Sequence, residues 1–506
     1  MDGSRTLIAA LLLAVLQASG CATGRLARQD LAANSISPAL AEDPRSDLQA
    51  AVPARDGVVQ TVAYHDAAEE GSSTARTSPL LGIIPVAQTE AGGTALNTSS
   101  GMATMSLSDF ESLAFANNPT IRELAATTQK AAGFRTQVGL RANPTVGYQG
   151  VQLADQGTDQ HTAFVEQEFV TADKLALNRR VLNEALRTQL LELETQKMRV
   201  ATDIRVKFYD ALAAQRRIHL IEDFQTVTDK GLELADLRRK ALEGSRVDVL
   251  QAKVQKNEID LALQQAEIAF SAAWRELAAI AGTPNLPPAE LQGELPHGES
   301  HLDWNTVSAT MIASSPEYQA AQARISRARA NLRRQGVQAI PNVTAQLAAG
   351  VDNGTGDGLI NLQIGAPIPV FNQNQGNIAA ARAEYCRAVM DAQRIENAIK
   401  ARLAAVSGAF DSSLAAVTKY ADQILPSAAE SLQLAEVAYK AGETSFVQVL
   451  VARRTYFDTN LQYIAAQSQL AQAKSKVDGY VLTGALDAVS DESGDDSLRG
   501  LTFSQQ

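Results

Sequence analysis

The sequence is poor in residues that cross-link a fold or commonly take part in catalysis. Among 506 residues there are two cysteines, five histidines and two tryptophans, and aromatic residues make up 5%. Two cysteines exclude the dense disulfide framework of a small secreted domain. We expect Cys386, which falls in a helical pattern, to pack as a small side chain. Few aromatic residues beside abundant alanine favour long, closely packed helices over a compact sandwich.

Basic charge is also lacking. The formal net charge is −11, which argues against a nucleic-acid partner because nucleic acids are bound by basic surfaces. Motifs for a phosphate-binding loop, a nucleophile elbow and a zinc protease are absent. His297 and His301 lie in a linker that contains proline and glycine, so no helix face presents both rings. We therefore predict no catalytic residue, no cofactor and no metal site, and we do not expect an enzyme.

Long apolar runs are missing as well. Residues 7–16 form an apolar run that follows a single basic residue and is too short for a permanent membrane helix. Three small residues then precede Cys21, a pattern that resembles a bacterial lipoprotein signal. We predict that residues 1–20 are removed and that Cys21 is acylated, with palmitate as one acyl chain. Ordinary signal cleavage with an incidental cysteine is the alternative.

The rest of the chain limits how it could cross a membrane. No later segment reaches about 18 consecutive apolar residues, the minimum for a spanning helix. If the mature protein crosses a membrane, it must therefore do so by β-strands.

What the chain does contain is an internal repeat. Asn-Asn-Pro at 117–119 recurs as Ser-Ser-Pro at 314–316, and Gly139 recurs as Gly336, both 197 residues later. Asp-Val-Leu-Gln-Ala-Lys at 248–253 recurs as Gln-Val-Leu-Val-Ala-Arg at 448–453, 200 residues later. The predicted organisation is a flexible spacer over 21–105, repeat 1 over 106–286, a linker over 287–304, repeat 2 over 305–486 and a solvated acidic tail over 487–506.

Each repeat is predicted to contain the same elements in the same order. A helix of about 33 residues (106–138 and 305–338) ends at a glycine and a proline, and two short β-patterned runs follow it. A long helix (175–242 and 377–441) then leads through a glycine into a helix of about 36 residues. A 66-residue helix is about 100 Å long, so we expect the shorter helices to stack beside it as antiparallel hairpins with coiled-coil-like packing. Pro426 predicts a kink or short break in the second long helix.

The β-patterned runs alternate apolar and polar residues over about nine positions, the length that a tilted strand needs to cross a bilayer. In repeat 2 the residues predicted to face lipid are Val343, Ala345, Leu347, Ile360, Leu362 and Ile364. Four strands per chain cannot close into a barrel, and open strand edges in lipid are costly. Other copies of the chain must therefore complete the sheet, and three copies give twelve strands.

Four short motifs carry a family resemblance. They are Ala-Phe-Ala-Asn-Asn-Pro at 114–119, Gly-Leu-Arg-Ala-Asn-Pro-Thr at 139–145, Ile-Pro-Val-Phe-Asn-Gln-Asn-Gln-Gly at 368–376 and Tyr-Lys-Ala-Gly at 439–442. Their order and spacing over 106–486 resemble the TolC-like outer membrane efflux proteins, and 368–376 is similar to the heavy-metal efflux branch.

The resemblance implies an α+β membrane protein. Long antiparallel helical hairpins would form a trimeric α-barrel, joined to a twelve-stranded transmembrane β-barrel with four strands per protomer. The homotrimer would lie in the lipid of the outer membrane of a Gram-negative-type bacterium and extend into the periplasm. It would dock there onto a periplasmic adaptor and an inner-membrane pump.

The functional residues that the resemblance implies lie at the tips of the two helical hairpins. The adaptor contact is expected at Gly244, Val249, Leu250, Gly442, Val449 and Leu450. Gate candidates are Asp248, which matches an acidic position of the family, and its neighbours Glu243 and Glu443. A solvated helix end is the alternative interpretation of these charges.

Two further expectations concern the tips. Many relatives carry carboxylates where Gln448 and Val451 stand here, so no acidic ring is predicted at the second tip. Gly244 and Gly442 are also expected to supply the positive φ with which a helix stops.

The predicted function is the passage of solutes, metal cations or drugs, through an outer-membrane channel. Two alternatives stay open: a channel for type I protein secretion, and a lipid-anchored periplasmic coiled-coil scaffold without channel activity. The paired β-hairpins favour a channel over a scaffold, because a tether does not need them.

Overall fold

The computed structural model describes residues 104–154, 157–298 and 301–493. The predicted signal, Cys21, the spacer up to residue 103 and the tail from residue 494 lie outside these ranges. In chain order the elements are β1 (Thr104–Ser106), α1 (Leu107–Asn117), α2 (Pro119–Gln137), β2 (Thr145–Val151), β3 (Gln160–Phe169), α3 (Lys174–Lys240), α4 (Arg246–Ile280), β4 (Glu290–Gln292), α5 (Trp304–Ser314), α6 (Pro316–Gly336), β5 (Val343–Asp352), β6 (Asp357–Gly365), α7 (Gln375–Lys419), a π-helical segment (Tyr420–Ile424), α8 (Leu425–Lys440) and α9 (Phe446–Asp478). Two helices, a β-hairpin, a long helix and a return helix therefore occur in this order twice.

The first helix of each repeat is broken before a proline. The prediction of one continuous helix over 106–138 and over 305–338 is wrong at this point. Asn118 and Ser315 have extended backbone, with ψ of 127° and 122°, because the ring of a following proline disfavours the helical conformation. Pro119 and Pro316 then occupy the first position of α2 and α6, where a missing N–H costs nothing.

The two breaks differ in their capping. Oδ1 of Asn118 accepts hydrogen bonds from the backbone N–H groups of Thr120 (3.0 Å) and Ile121 (3.4 Å), and its Nδ2 donates to the C=O of Ile280 (2.8 Å). The last bond ties the break to the end of α4. The hydroxyl of Ser315 is buried and has no hydrogen-bond partner.

The long helices have the predicted extent. α3 runs for 67 residues, which is about 100 Å at the usual rise per residue. In repeat 2, α7 passes into five residues of π-helix before α8 continues from Leu425. Pro426 cannot donate a hydrogen bond to the preceding turn, and the wider π turn accommodates the loss. The predicted break near Pro426 is this π-helical segment.

The return helix α4 packs on α3 through residues spaced by seven. Ala252, Ile259, Ala266 and Ala273 are all buried, and Ile259 lies in one cluster with Ile221 of α3 and Phe457 of α9. This is the spacing of a coiled-coil seam. Cys386 of α7 is exposed rather than packed as predicted.

The largest buried side chains collect where α1, α3 and α4 meet. The ring of Phe110 lies edge-on to Phe208 and Trp274, with centroids 6.2 and 5.5 Å away, a favourable geometry for aromatic pairs. Beside them β1 and β4 pair in parallel, with Thr104 opposite Glu290. These two strands fall in the segments predicted as a spacer and a linker.

The four longer strands form one antiparallel sheet in the order β2-β3-β5-β6. β3 and β5 pair along their full length, from Gln160 opposite Asp352 to Phe169 opposite Val343. The hairpins of the two repeats are thus joined in the centre of the sheet. β2 and β6 are its outer strands, and each has one edge that pairs with no other strand in the described part of the chain.

After α9 the chain returns along α3; we call residues 480–493 the C-terminal strap. The N–H groups of Gly484 and Ala485 donate to Oδ2 of Asp203 (2.9 and 2.8 Å). Further on, Glu492 pairs with Arg324 of α6 at 2.9 Å, and Ser493 is fully buried. The prediction of a solvated tail is therefore wrong for Glu492 and Ser493.

Arg324 joins the strap to both repeats. Its guanidinium also pairs with Glu192 of α3 and lies 3.8 Å from Asp391 of α7. Burial raises the pKa of the Glu192 carboxyl above its ordinary value, although Arg324 acts in the opposite direction. The cluster thus contains a carboxylate whose burial opposes its charge.

The helix breaks at Asn118 and Ser315 give a first prediction. Asn118→Ala should destabilise the protein by about 2 kcal/mol, because it removes an N-cap and leaves the C=O of Ile280 without its partner. Ser315→Ala, the matched control, should change stability by less than about 0.5 kcal/mol, because the hydroxyl makes no bond. Denaturant unfolding in detergent, followed by circular dichroism, measures both. Equal losses in the two variants would contradict the capping assignment.

The buried carboxylate gives a second prediction. A carboxyl whose pKa is raised by folding costs stability above that pKa, and the cost disappears as the pH falls through it. Glu192→Gln should therefore be at least as stable as the wild type at pH 8, and its advantage should shrink on acidification. Thermal unfolding between pH 5 and 8 tests this, with the exposed Glu194→Gln as control. A large loss of stability at pH 8 would show that the ion pair outweighs burial.

Candidate functional site: strand face and helical tips

One face of the sheet is apolar and open. Cross-strand register places Val146, Val165, Leu347 and Leu362 in one row, and Tyr148, Ala163, Ala349 and Ile360 in the next. Ile360 and Leu362 are 75% and 68% exposed. The six residues predicted to face lipid all lie on this face, because Ala345 is opposite Ile364, Leu347 is opposite Leu362 and Val343 is opposite Phe169.

The opposite face is mostly polar, and all of its charged residues are acidic. Glu166, Glu168, Asp352 and Asp357 alternate with the apolar row and share this face. No lysine or arginine occurs in β2, β3, β5 or β6. Glu168 accepts a hydrogen bond from Nδ2 of Asn342 at 2.7 Å, which holds it at the end of the sheet nearest the helices.

Both helical tips end in the same hydrogen-bond pattern, but different residues make it. At the first tip, the N–H groups of Leu242 and Glu243 donate to the C=O groups of Arg239 (3.2 Å) and Arg238 (2.9 Å), and Leu242 has a φ of 61°. This is a Schellman motif, which needs one left-handed residue. At the second tip Gly442, with a φ of 78°, takes that position.

The expectation that Gly244 supplies the positive φ is therefore wrong. Its φ is not positive, and it lies two residues beyond the left-handed position. A Cβ at Gly244 would come within 3.1 Å of Cβ of Arg238 and 3.2 Å of the Arg239 nitrogen. Glycine avoids this tight contact where the chain passes close to the end of α3.

Not all residues predicted for the adaptor contact are available for one. Val249 and Leu450 are partly buried in one cluster with Phe446, and Val449 is only 2% exposed. Its assignment to a contact surface is a wrong prediction, because the side chain is part of the core. Leu250 is exposed, as is Gly442.

The three gate candidates differ in the contacts that their side chains make. Asp248 closes a capping box: its carboxylate accepts from the N–H of Ser245 at 3.0 Å, while the Ser245 hydroxyl accepts from Val247 at 3.1 Å. Glu243 and Glu443 are exposed, and within the described ranges their side chains form no hydrogen bond or ion pair. Near the first tip, hydrogen bonds from Lys240 and Arg239 lower the pKa of Asp236.

Sequence reasoning missed a set of exposed apolar residues that the repeat could have revealed. At an offset of 200 residues, Leu234, Leu237 and Val247 correspond to Leu434, Val437 and Val447, and all six are exposed. On α4, Val247, Val254, Leu261 and Ile268 follow one another at spacings of seven and are all more than half exposed. Leu242 is a further exposed apolar residue, at the tip itself.

The described residues hold neither a membrane-spanning helix nor a metal-binding cluster. None of the helices in that part of the chain is both long and apolar enough to cross a membrane. Across the same residues, no three histidine, cysteine or acidic side chains are placed to hold a metal ion together.

Comparison with known proteins agrees with this geometry. The family model described as "Outer membrane efflux protein" matches residues 307–480. The chain is 26% identical over 301 residues to the cobalt-zinc-cadmium resistance protein CzcC of Cupriavidus metallidurans, which covers 59% of this chain and 72% of that protein.

Solved structures share the fold. The outer membrane protein VceC of Vibrio cholerae superposes with a TM-score of 0.60 at 17% identity, covering 75% of this chain and 96% of that one. The open state of the MtrE outer membrane channel of Neisseria gonorrhoeae gives a TM-score of 0.62 at 14% identity, covering 75% and 89%.

Residues 307–480 thus match the outer membrane efflux protein family, and the resemblance predicted from the sequence is confirmed. The match to CzcC agrees with the heavy-metal branch indicated by residues 368–376. The protein is located in the outer membrane and extends into the periplasm.

The capping box gives a third prediction. Asp248→Ala should weaken the first turn of α4 by about 1 kcal/mol, which should speed amide hydrogen exchange at Ser245 about fivefold. Gln448→Ala at the second tip is the matched control, because no side chain caps α9. Unchanged exchange at Ser245 would show that the carboxylate does not cap the helix.

Proposed function

We propose that three copies of this protein form the outer-membrane channel of a tripartite efflux system. The channel passes solutes from a periplasmic adaptor and inner-membrane pump to the exterior. The observation that carries the proposal is a sheet with one open apolar face and two unpaired edges. A scaffold tether needs neither feature.

The sheet supports a trimer because one chain leaves its apolar face uncovered and its two edges unpaired. Its apolar face is suited to lipid, where exposed isoleucine and leucine cost nothing. In lipid, however, each unpaired backbone group of an open edge costs several kcal/mol. β2 and β6 therefore pair with neighbouring copies in this proposal, and three sheets of four strands close a barrel of twelve, wide enough for a water-filled lumen.

The helices support the same assembly independently. The buried seam of α4 begins at Ala252, and the exposed seam at Val254 is displaced from it by about 200° around the helix. α4 thus has two apolar seams on nearly opposite faces, one covered by α3 and one bare. A helix in a closed ring has a neighbour on each side, so a helix of the next copy covers the bare seam.

The length of the helices supports a role across the periplasm. A helix of about 100 Å carries the tips far from the sheet, where Gly244, Leu250 and Gly442 form part of the proposed adaptor contact. Glu243 and Glu443, with the capping carboxylate Asp248, are the proposed gate charges at the mouth. Cys21 is proposed to anchor the chain in lipid.

We propose metal cations ahead of drugs as the cargo. The polar strand face, which lines the lumen in this assembly, carries four carboxylates and no basic residue in each chain. Such a lumen concentrates cations and repels anions. The name of the relative CzcC refers to cobalt, zinc and cadmium, which supports the same class of cargo.

A pair of adjacent strand residues gives the fourth prediction and tests the function. Leu362→Arg places a charge on the lipid face, at a cost of about 2–4 kcal/mol per chain near the bilayer midplane. It should abolish the heat-modifiable trimer on gels and the channel conductance in planar bilayers. Gln363→Arg, its neighbour on the polar face, should keep the trimer and lower the preference for cations.

The outcomes separate a channel from a scaffold. A wild-type protein that is monomeric and conducts nothing in outer-membrane lipid would rule out the channel and favour a scaffold. Trimer yield in Leu362→Arg equal to that of the wild type would contradict the orientation of the strands.

A further inference from the structure

Leu242 is held in a conformation that leucine does not favour. Its φ of 61° lies in the left-handed region, where a Cβ crowds the following carbonyl oxygen and glycine is the usual residue. The equivalent residue of repeat 2 is Gly442, which adopts a φ of 78° without this crowding. The two tips therefore have the same backbone turn, and only the first carries a strained side chain.

The side chain of Leu242 also has no contact that compensates for the strain. It is 94% exposed, more than any other large apolar residue in the described part of the chain. A leucine that is both strained and solvated contributes nothing to the stability of an isolated chain. Strain of this kind persists where a functional contact requires it.

The surroundings of Leu242 show what kind of surface it belongs to. Both tips share the exposed apolar set at 234, 237 and 247 and its equivalents 200 residues later. The charges differ: residues 236–248 contain four basic and three acidic side chains, and residues 436–448 contain one basic and two acidic. Arg246 is exposed at the first tip, where the second has the buried Phe446.

We propose that Leu242 is the specificity-determining contact by which the periplasmic adaptor distinguishes the first tip from the second. It inserts into an apolar pocket at the end of the adaptor, and carboxylates at the rim of that pocket face Arg246. The inference rests on the proposed function, because it presupposes a channel that docks onto an adaptor at its tips.

The position of Leu242 selects the adaptor over a second copy of the chain. Neighbouring copies in a ring of parallel hairpins lie side by side, and they cover helix faces such as the bare seam of α4. Leu242 follows the last residue of α3 by two positions, within the turn that ends the hairpin. A side chain there is open to a partner that approaches end-on.

Leu242→Gly gives the fifth prediction. The substitution makes the first tip like the second and removes the strain, so the unfolding midpoint should stay the same or rise. The probe is the purified full-length periplasmic adaptor encoded in the same operon, and the measurement is its Kd for the channel in nanodiscs by biolayer interferometry. The Kd should rise about ten- to hundredfold, the effect of losing one buried leucine.

The control and the outcomes make the test decisive. Leu242→Met keeps an apolar side chain of similar size with the same strain, and it should bind within about threefold of the wild type. An unchanged Kd for Leu242→Gly would overturn the inference. So would loss of the trimer in that variant, which would assign Leu242 to a contact between copies.

Failure of the proposed function would look different. A wild-type channel that forms a conducting trimer but does not bind the adaptor would overturn the role of Leu242 and leave the channel intact. A wild-type protein that neither trimerises nor conducts would overturn both proposals.

Discussion

A single chain of this protein cannot satisfy its own sheet. Four strands leave two rows of backbone groups without partners and one apolar face without cover. Water can solvate the edges but opposes the face, whereas lipid accepts the face but leaves the edges unpaired. In the proposed assembly, pairing with strands of neighbouring copies inside a membrane resolves both demands. Helix α4 is under the same constraint, since apolar seams on its opposite sides are covered only if it has a neighbour on each side.

Because the chain contains a duplication, its two repeats can be compared with each other. Each feature of one repeat has a counterpart, and the differences show which features the fold requires. Asn118 caps its helix and Ser315 does not, although both precede a proline at the same bend. Asp248 closes a capping box that α9 lacks. The turn itself therefore depends on the backbone pattern, and the side chains around it are free to differ between the two halves.

Periodicity predicted the parts of the fold that repeat over short distances. The alternation in β5 and β6 placed six residues on one face, and the apolar spacing gave the length of α3 to within two residues at each end. Contacts between residues far apart in sequence were not predictable. Glu492 and Arg324 are separated by 168 residues, so nothing local distinguished the strap from a solvated tail. β1 and β4 have three residues each, too few for a pattern.

At the tips, the errors had a common cause. Gly244 was the visible glycine near the turn, so the positive φ was assigned to it, whereas leucine occupies that position. Val449 was assigned to a surface because it lies near the tip, but its side chain is buried. In both cases residue type and nearness to the tip indicated one role, whereas the register of the turn at Leu242 and the burial of Val449 imposed another.

The π-helical segment occurs in only one of the two long helices. There the regular ladder of hydrogen bonds is interrupted and Pro426 contributes no donor, whereas α3 is continuous over its whole length. Bending therefore costs least at Tyr420–Ile424, and each protomer has one stiff hairpin and one with a built-in joint. In a ring of three such chains, stiff and jointed hairpins alternate. The mouth would then widen by outward bending of the three jointed hairpins, while the three stiff hairpins stay in place.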